Sequence, residues 1–186
     1  MPDRMSLAEF RSEYNGYIER QKARGCSYDE LRSCLEGWLD IKWSRLPDFP
    51  VEMKTIEIDK KPNWFTDEDS RCFSYNGYYY TSLAGIAPSS SNIIEEYITP
   101  YQAIGQTWLF VNDRTYDRPC TDRLSSLLLG VPESITPFFV EKAGNYYYCS
   151  DGNHRLYAAY LLDRRVKVQY YEEYTKVYDS AGTLIS

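Results

Sequence analysis

The chain has 186 residues, 43% of them hydrophobic and 26% charged, with a net charge of −6, five cysteines and 19 tyrosines. That length suits one domain with a proper core and hardly two large ones, and the composition excludes global disorder. No stretch approaches the roughly 20 apolar residues of a membrane-spanning helix, and the start "MPDRMSLAEF" has no apolar leader core, so the expectation is a cytoplasmic protein without a membrane span.

Two helices are marked first. "SLAE" from Ser6 and "SYDE" from Ser27 both have capping-box spacing, in which the serine oxygen accepts from a helix N–H and the glutamate reaches back. Leu7, Phe10, Tyr14, Tyr17 and Ile18 recur at helical spacing after the first, and Leu31, Cys34, Leu35, Trp38 and Leu39 after the second. Gly25 ends one helix and Pro47 follows the other. Residues 1–50 are therefore expected as an αα-hairpin capping the rest. A helix-turn-helix DNA reader would need a basic recognition helix, and none is visible.

Residues 51–104 are expected as a strand and hairpin extension packed on the core. "VEMKTIEID" alternates as a strand does, and "CFSYNGYYYTSL" sets two aromatic runs around Asn76-Gly77, a pair favoured in tight hairpin turns. "PSSSNIIEEYITP" predicts a short helix between Asn92 and Ile98, stopped by Pro100. Glu95 and Glu96 would be adjacent on it. Such carboxylates can serve acid–base chemistry or hold magnesium, and at a helix surface they are usually solvated.

Residues 105–178 are expected as the core, with strands alternating with helices. "TWLFVND" reads as a buried strand, "DRTYDRPCTDRL" as an arginine-rich loop, and 122–129 as a short helix ended by Gly130. "TPFFVEKAGNYYYCS" gives two strands around 143–145, a helix runs from about 153 to 162, and "VKVQYYEEY" is the final strand. The fold class expected is α+β, a small mixed sheet with packed helices behind an N-terminal αα-hairpin.

Cysteines are widely spaced with no CxxC pair, so neither a disulfide framework nor a zinc site is suggested. Acidity is uneven: residues 1–104 carry 12 basic against 17 acidic groups, and residues 105–171 carry 8 against 7. The more basic segment holds the only histidine, His154, where "YYYCSDGNHRLYAAYLL" turns from strand to helix. A helix N-terminus there would offer the N–H groups of Gly152, Asn153, His154 and Arg155 to an anion such as phosphate. Gly152 would let a ligand approach the backbone, Arg155 could grip phosphate oxygens, and His154 could donate or shuttle a proton. On spacing alone a plainer reading stands beside this one: Asp151 or Asn153 as a helix cap, Gly152 as a turn residue and His154 as a satisfied polar side chain.

The segment "SDGNHR" resembles the Asp-Gly-x-His-Arg motif of the ParB/sulfiredoxin-like superfamily, and Pro119 to Arg123 resembles its upstream Pro-x-x-x-Arg box. The likeness covers about residues 107–172. It implies a nucleotide site at the helix start, with ATP or CTP and magnesium as cofactors. It further implies Arg123, Arg118 and Arg155 on the phosphates, with Asp151 and His154 orienting water, and Asp151 as a candidate magnesium ligand. Asn153 stands where sulfiredoxins carry their reactive cysteine, which argues against sulfinate reduction. Only a short stretch follows the last expected strand, which argues against a centromere-binding clamp.

What the resemblance leaves is an ATPase with DNA-directed nuclease activity. One small plasmid-borne member suppresses conjugation-like DNA transfer, so DNA and a component of a DNA-transfer machine are the implied partners. The alternative is a non-enzymatic inhibitor that binds a protein through exposed parts of "YNGYYY" or "YYYC" and the acidic N-terminal half. A kinase acting on a small substrate is a third possibility.

Overall fold

The computed structural model describes residues 3–48, 71–75, 77–82, 92–105, 121–130, 137–143, 146–149, 152–172 and 175–185. The strands expected at 51–59 and 107–113 lie outside the described residues, as do Asn76 and most of the arginine-rich loop.

Both N-terminal helices form where the capping boxes place them. Ser6 caps α1 (Leu7–Ala23) and Ser27 caps α2 (Tyr28–Lys42), each with the reciprocal glutamate bond from Glu9 or Glu30 in place. Burial in α1 falls on Phe10, Tyr14 and Ile18, and in α2 on Leu31, Leu35 and Leu39. These are the stripes that the helical spacing requires. Tyr17 stacks on Trp38 with ring centroids 5.3 Å apart and donates from its hydroxyl to the Cys34 carbonyl at 2.8 Å, locking the hairpin.

Among the described residues the β-structure divides into three three-stranded sheets. In the first, β1 (Arg71–Tyr75) and β2 (Tyr78–Ser82) pair antiparallel with Tyr75 opposite Tyr78, as a two-residue turn at Asn76-Gly77 demands. Gly77 has φ 80°, the left-handed conformation such a turn needs. The third strand is β9 (Thr175–Tyr178), antiparallel to β2. It follows the strand expected to be last, so the chain returns to this sheet after leaving the core.

The second sheet corrects the helix expected between Asn92 and Ile98. Ile93–Ile98 is a strand, β3, paired antiparallel over six residues with β8 (Val166–Tyr171). Its β-branched and aromatic side chains fit a pleated surface, and the distant partner overrides the local capping pattern. A capped 3-10 turn at Pro100–Gln102 follows. Because strand side chains alternate, Glu95 and Glu96 point to opposite faces instead of forming a carboxylate pair. On the other side of β8 runs β5 (Phe138–Phe139), parallel to it.

In the third sheet the central strand β7 (Tyr146–Cys149) is parallel to β4 (Ala103–Gly105) and antiparallel to β6 (Glu141–Ala143). Strand pairing thus crosses residue 104: β3 and β4 from the middle segment pair with β8 and β7. Two more helices, α3 (Thr121–Leu129) and α4 (Asn153–Leu162), match the elements expected there. α3 packs between α2 and α4, and one continuous core runs from Phe10 and Leu35 through Leu124 and Leu128 to Leu156, Leu161 and Val168. The fold is α+β. No helix among the described residues is long and apolar enough to cross a membrane.

Candidate functional site

β7 delivers the chain to the start of α4. Gly152 adopts φ 78°, ψ 13° ahead of the helix, and a Cβ there would come within 2.6 Å of the Phe138 ring. Both the left-handed backbone and the missing space call for glycine. The first intrahelical bond runs from Leu156 N–H to the Gly152 carbonyl at 3.0 Å. Helix geometry therefore aims the amides of Asn153, His154 and Arg155 out of the N-terminus, where the macrodipole favours negative charge.

Side chains at this end are held close. Asn153 is buried and His154 and Arg155 are half-buried, with Asn153 Oδ1 and His154 Nε2 shut off from solvent. The Arg155 guanidinium lies 5.4 Å from the centre of the Phe138 ring. That ring thus touches the Gly152 backbone on one side and carries the arginine on another, a cation–π contact that limits where the guanidinium can point. Phe138 had no marker in the sequence beyond belonging to an apolar strand, because its role depends on a contact fourteen positions away.

The far ends of α3 and α4 are tied to the N-terminal hairpin. Arg11 donates from Nε to the Leu161 carbonyl at 2.8 Å and from Nη2 to the Tyr160 carbonyl at 3.1 Å, capping α4 at its C-terminus. One turn along α1, the Tyr14 hydroxyl donates to the Leu128 carbonyl at the end of α3, which also receives Arg164 Nη1. Tyr157 of α4 donates to the Pro47 carbonyl at 2.6 Å. At the other end of α3, the Thr121 hydroxyl donates to Asp40 of α2, and Arg123 is exposed on the first turn.

Of the residues expected from sequence, the structure brings Gly152, Asn153, His154 and Arg155 together on one helix turn, and it places Arg123 on a different helix. Asp151, Arg118 and Pro119 lie outside the described residues. Among the described residues no group of three or more histidine, cysteine, aspartate or glutamate side chains is gathered for a metal. Of the "YYYC" stretch, Tyr147, Tyr148 and Cys149 are buried, so these three do not offer the exposed surface expected there.

Sequence reading also missed a polar cluster between two sheets. Glu96, on the inner face of β3, accepts from the Tyr147 hydroxyl, and Lys142 Nζ lies 3.9 Å from the same carboxylate. Lys142 also donates to the Tyr170 hydroxyl at 3.2 Å and sits over the rings of Tyr147 and Tyr170. Burial, then the Glu96 hydrogen bond and charge, push the Tyr147 phenol well above its ordinary value. Opposite charges meet inside this cluster, which suits a brace between sheets. The helix start at Gly152, with its nitrogen donors, suits an anion.

No protein-family model, curated protein or solved structure matches this chain.

Proposed function

We propose that the chain is a nucleotide-binding phosphohydrolase of ParB/sulfiredoxin-like type, an ATPase with DNA-directed nuclease activity that interferes with plasmid or conjugative DNA transfer. The observation that carries the reading is the start of α4: a left-handed Gly152 with Arg155 and His154 on the first turn. Its donors are backbone amides, a guanidinium and an imidazole, which match phosphate oxygens. Magnesium prefers oxygen ligands, so Asp151 and the phosphates themselves are the groups assigned to hold it, and the ion would supply charge neutralisation.

In this reading the α4 amides bind a phosphate of ATP or CTP. Arg155, steadied by Phe138, neutralises developing charge, and Arg123 and Arg118 serve the rest of the polyphosphate. His154 orients the attacking water or takes its proton through Nδ1, since Nε2 is shut off from solvent. The test is binding of ATP and CTP with magnesium, and phosphate release, by wild type, His154→Ala and Arg155→Ala, each checked by circular dichroism. Folded variants should lose at least about a hundredfold in turnover, the scale of a lost catalytic hydrogen bond or proton-transfer group. Variants that turn over at the wild-type rate would refute the site.

A second reading, a protein-interaction inhibitor, draws support from the exposed Tyr78 of the "YNGYYY" hairpin. It expects Arg155→Ala to be tolerated and Tyr78→Ala to lose the partner.

A further inference from the structure

We propose that the outer face of the β3-β8-β5 sheet is a self-association surface, on which a second copy of this chain packs face to face. Ile93 and Tyr97 on β3 are 52% and 62% exposed and Phe139 on β5 is 45% exposed. Tyr171 on β8 stacks on Phe139 with ring centroids 5.2 Å apart and planes at 23°. Strand register puts these four side chains on one face, while Ile94, Glu96 and Ile98 turn inward. Aromatic and aliphatic side chains at the centre of a patch are what protein contacts bury.

Charge selects a second copy as the occupant. Within the paired strands this face carries one acid and one base, Glu95 and Lys167, 3.0 Å apart. A two-fold rotation sets Glu95 of each copy beside Lys167 of the other, a self-complementary contact. A polyanion such as single-stranded nucleic acid would need bases that no acid cancels.

The edge of the sheet is disfavoured for the same purpose. Pairing β3 with its own copy along the edge would set the glutamates at 95 and 96 against their counterparts, and like charges across strands repel. Two strands of six residues and one of two, about 4.8 Å apart at about 3.3 Å per residue, give a footprint of roughly 220 Å². With side-chain relief the two copies would bury roughly 900 Å², below the size of stable specific interfaces, so the dimer is weak and concentration-dependent.

Sedimentation velocity from about 1 to 300 μM tests this, a range that spans weak association constants. Wild type should move from the 21.8 kDa of one chain toward twice that mass. Tyr97→Glu and Phe139→Glu, with unchanged circular dichroism, should stay single throughout. Glu95→Lys and Lys167→Glu should each stay single alone and associate when mixed, because each then meets only opposite charge. The proposal is overturned by a wild type that remains at one chain's mass. It is equally overturned by a Tyr97→Glu variant that associates as wild type does, or by a charge-variant mixture no heavier than its components.

Discussion

At its C-terminal end α4 is held by side chains that reach in from another part of the fold, with Arg11 bridging the Tyr160 and Leu161 carbonyls; at its N-terminal end the cap position is a glycine, which has no side chain of its own to give, pressed against an aromatic ring. One end of the helix is closed by a cation that answers the negative pole of the dipole, and the other presents its positive pole beside an arginine and a histidine. The contrast sets an anchored end and a proposed phosphate-binding end along ten residues of one helix.

The sharpest way to break that contrast is Gly152→Ala. The methyl would meet the Phe138 ring at 2.6 Å and the backbone would keep φ 78°, at an expected cost of about 2–4 kcal/mol in urea unfolding. Because the ring is the obstacle, the penalty should shrink when Phe138→Leu is made in the same chain, a non-additivity that a double-mutant cycle reads. Equal losses in both backgrounds would show that the ring is not what excludes a side chain.

Arg11→Met should act at the opposite end and more mildly. Two hydrogen bonds from a guanidinium are lost on a part-buried surface, an effect of about 1–2 kcal/mol on stability. Turnover per folded molecule should be unchanged, and a fall in turnover as large as that of Arg155→Ala would erase the distinction between the two ends.

Tyr147→Phe is the smallest expected change at neutral pH, under about 1 kcal/mol, and it shows itself in alkali. Burial and Glu96 raise the folded phenol above its ordinary pKa of 10.0. The neutral phenol therefore contributes its full stability below pH 10 and loses it as pH rises beyond that value. Wild type should lose stability above pH 10 more steeply than the phenylalanine variant, and parallel curves for the two would rule out Tyr147 as the titrating brace.

Local signals carried the parts of the fold that close within a few residues. The capping boxes of α1 and α2, the Tyr75–Tyr78 pairing beside Gly77 and the helix opening at Asn153 each rest on contacts between near neighbours. Residues 93–98 misled because Asn92 and Pro100 offer helix boundaries locally, whereas the strand's partner begins at Val166. The candidate site was legible as Gly152, Asn153, His154 and Arg155 in a row. Its wall was not, since nothing near Phe138 in the chain announces that Gly152 will lie against it.

The bond between Arg11 and the Leu161 carbonyl joins positions 150 residues apart, and synthesis imposes a schedule on it. At about 5–20 residues per second, the arginine is synthesised roughly 8 to 30 seconds before its acceptor exists. The N-terminal hairpin can close early on its own capping boxes and its Tyr17–Trp38 stack. Until α3 and α4 follow, the stripe of Phe10 and Leu35 that joins their core stays uncovered, with Arg11 as the charged, water-tolerant group on the same helix as Phe10.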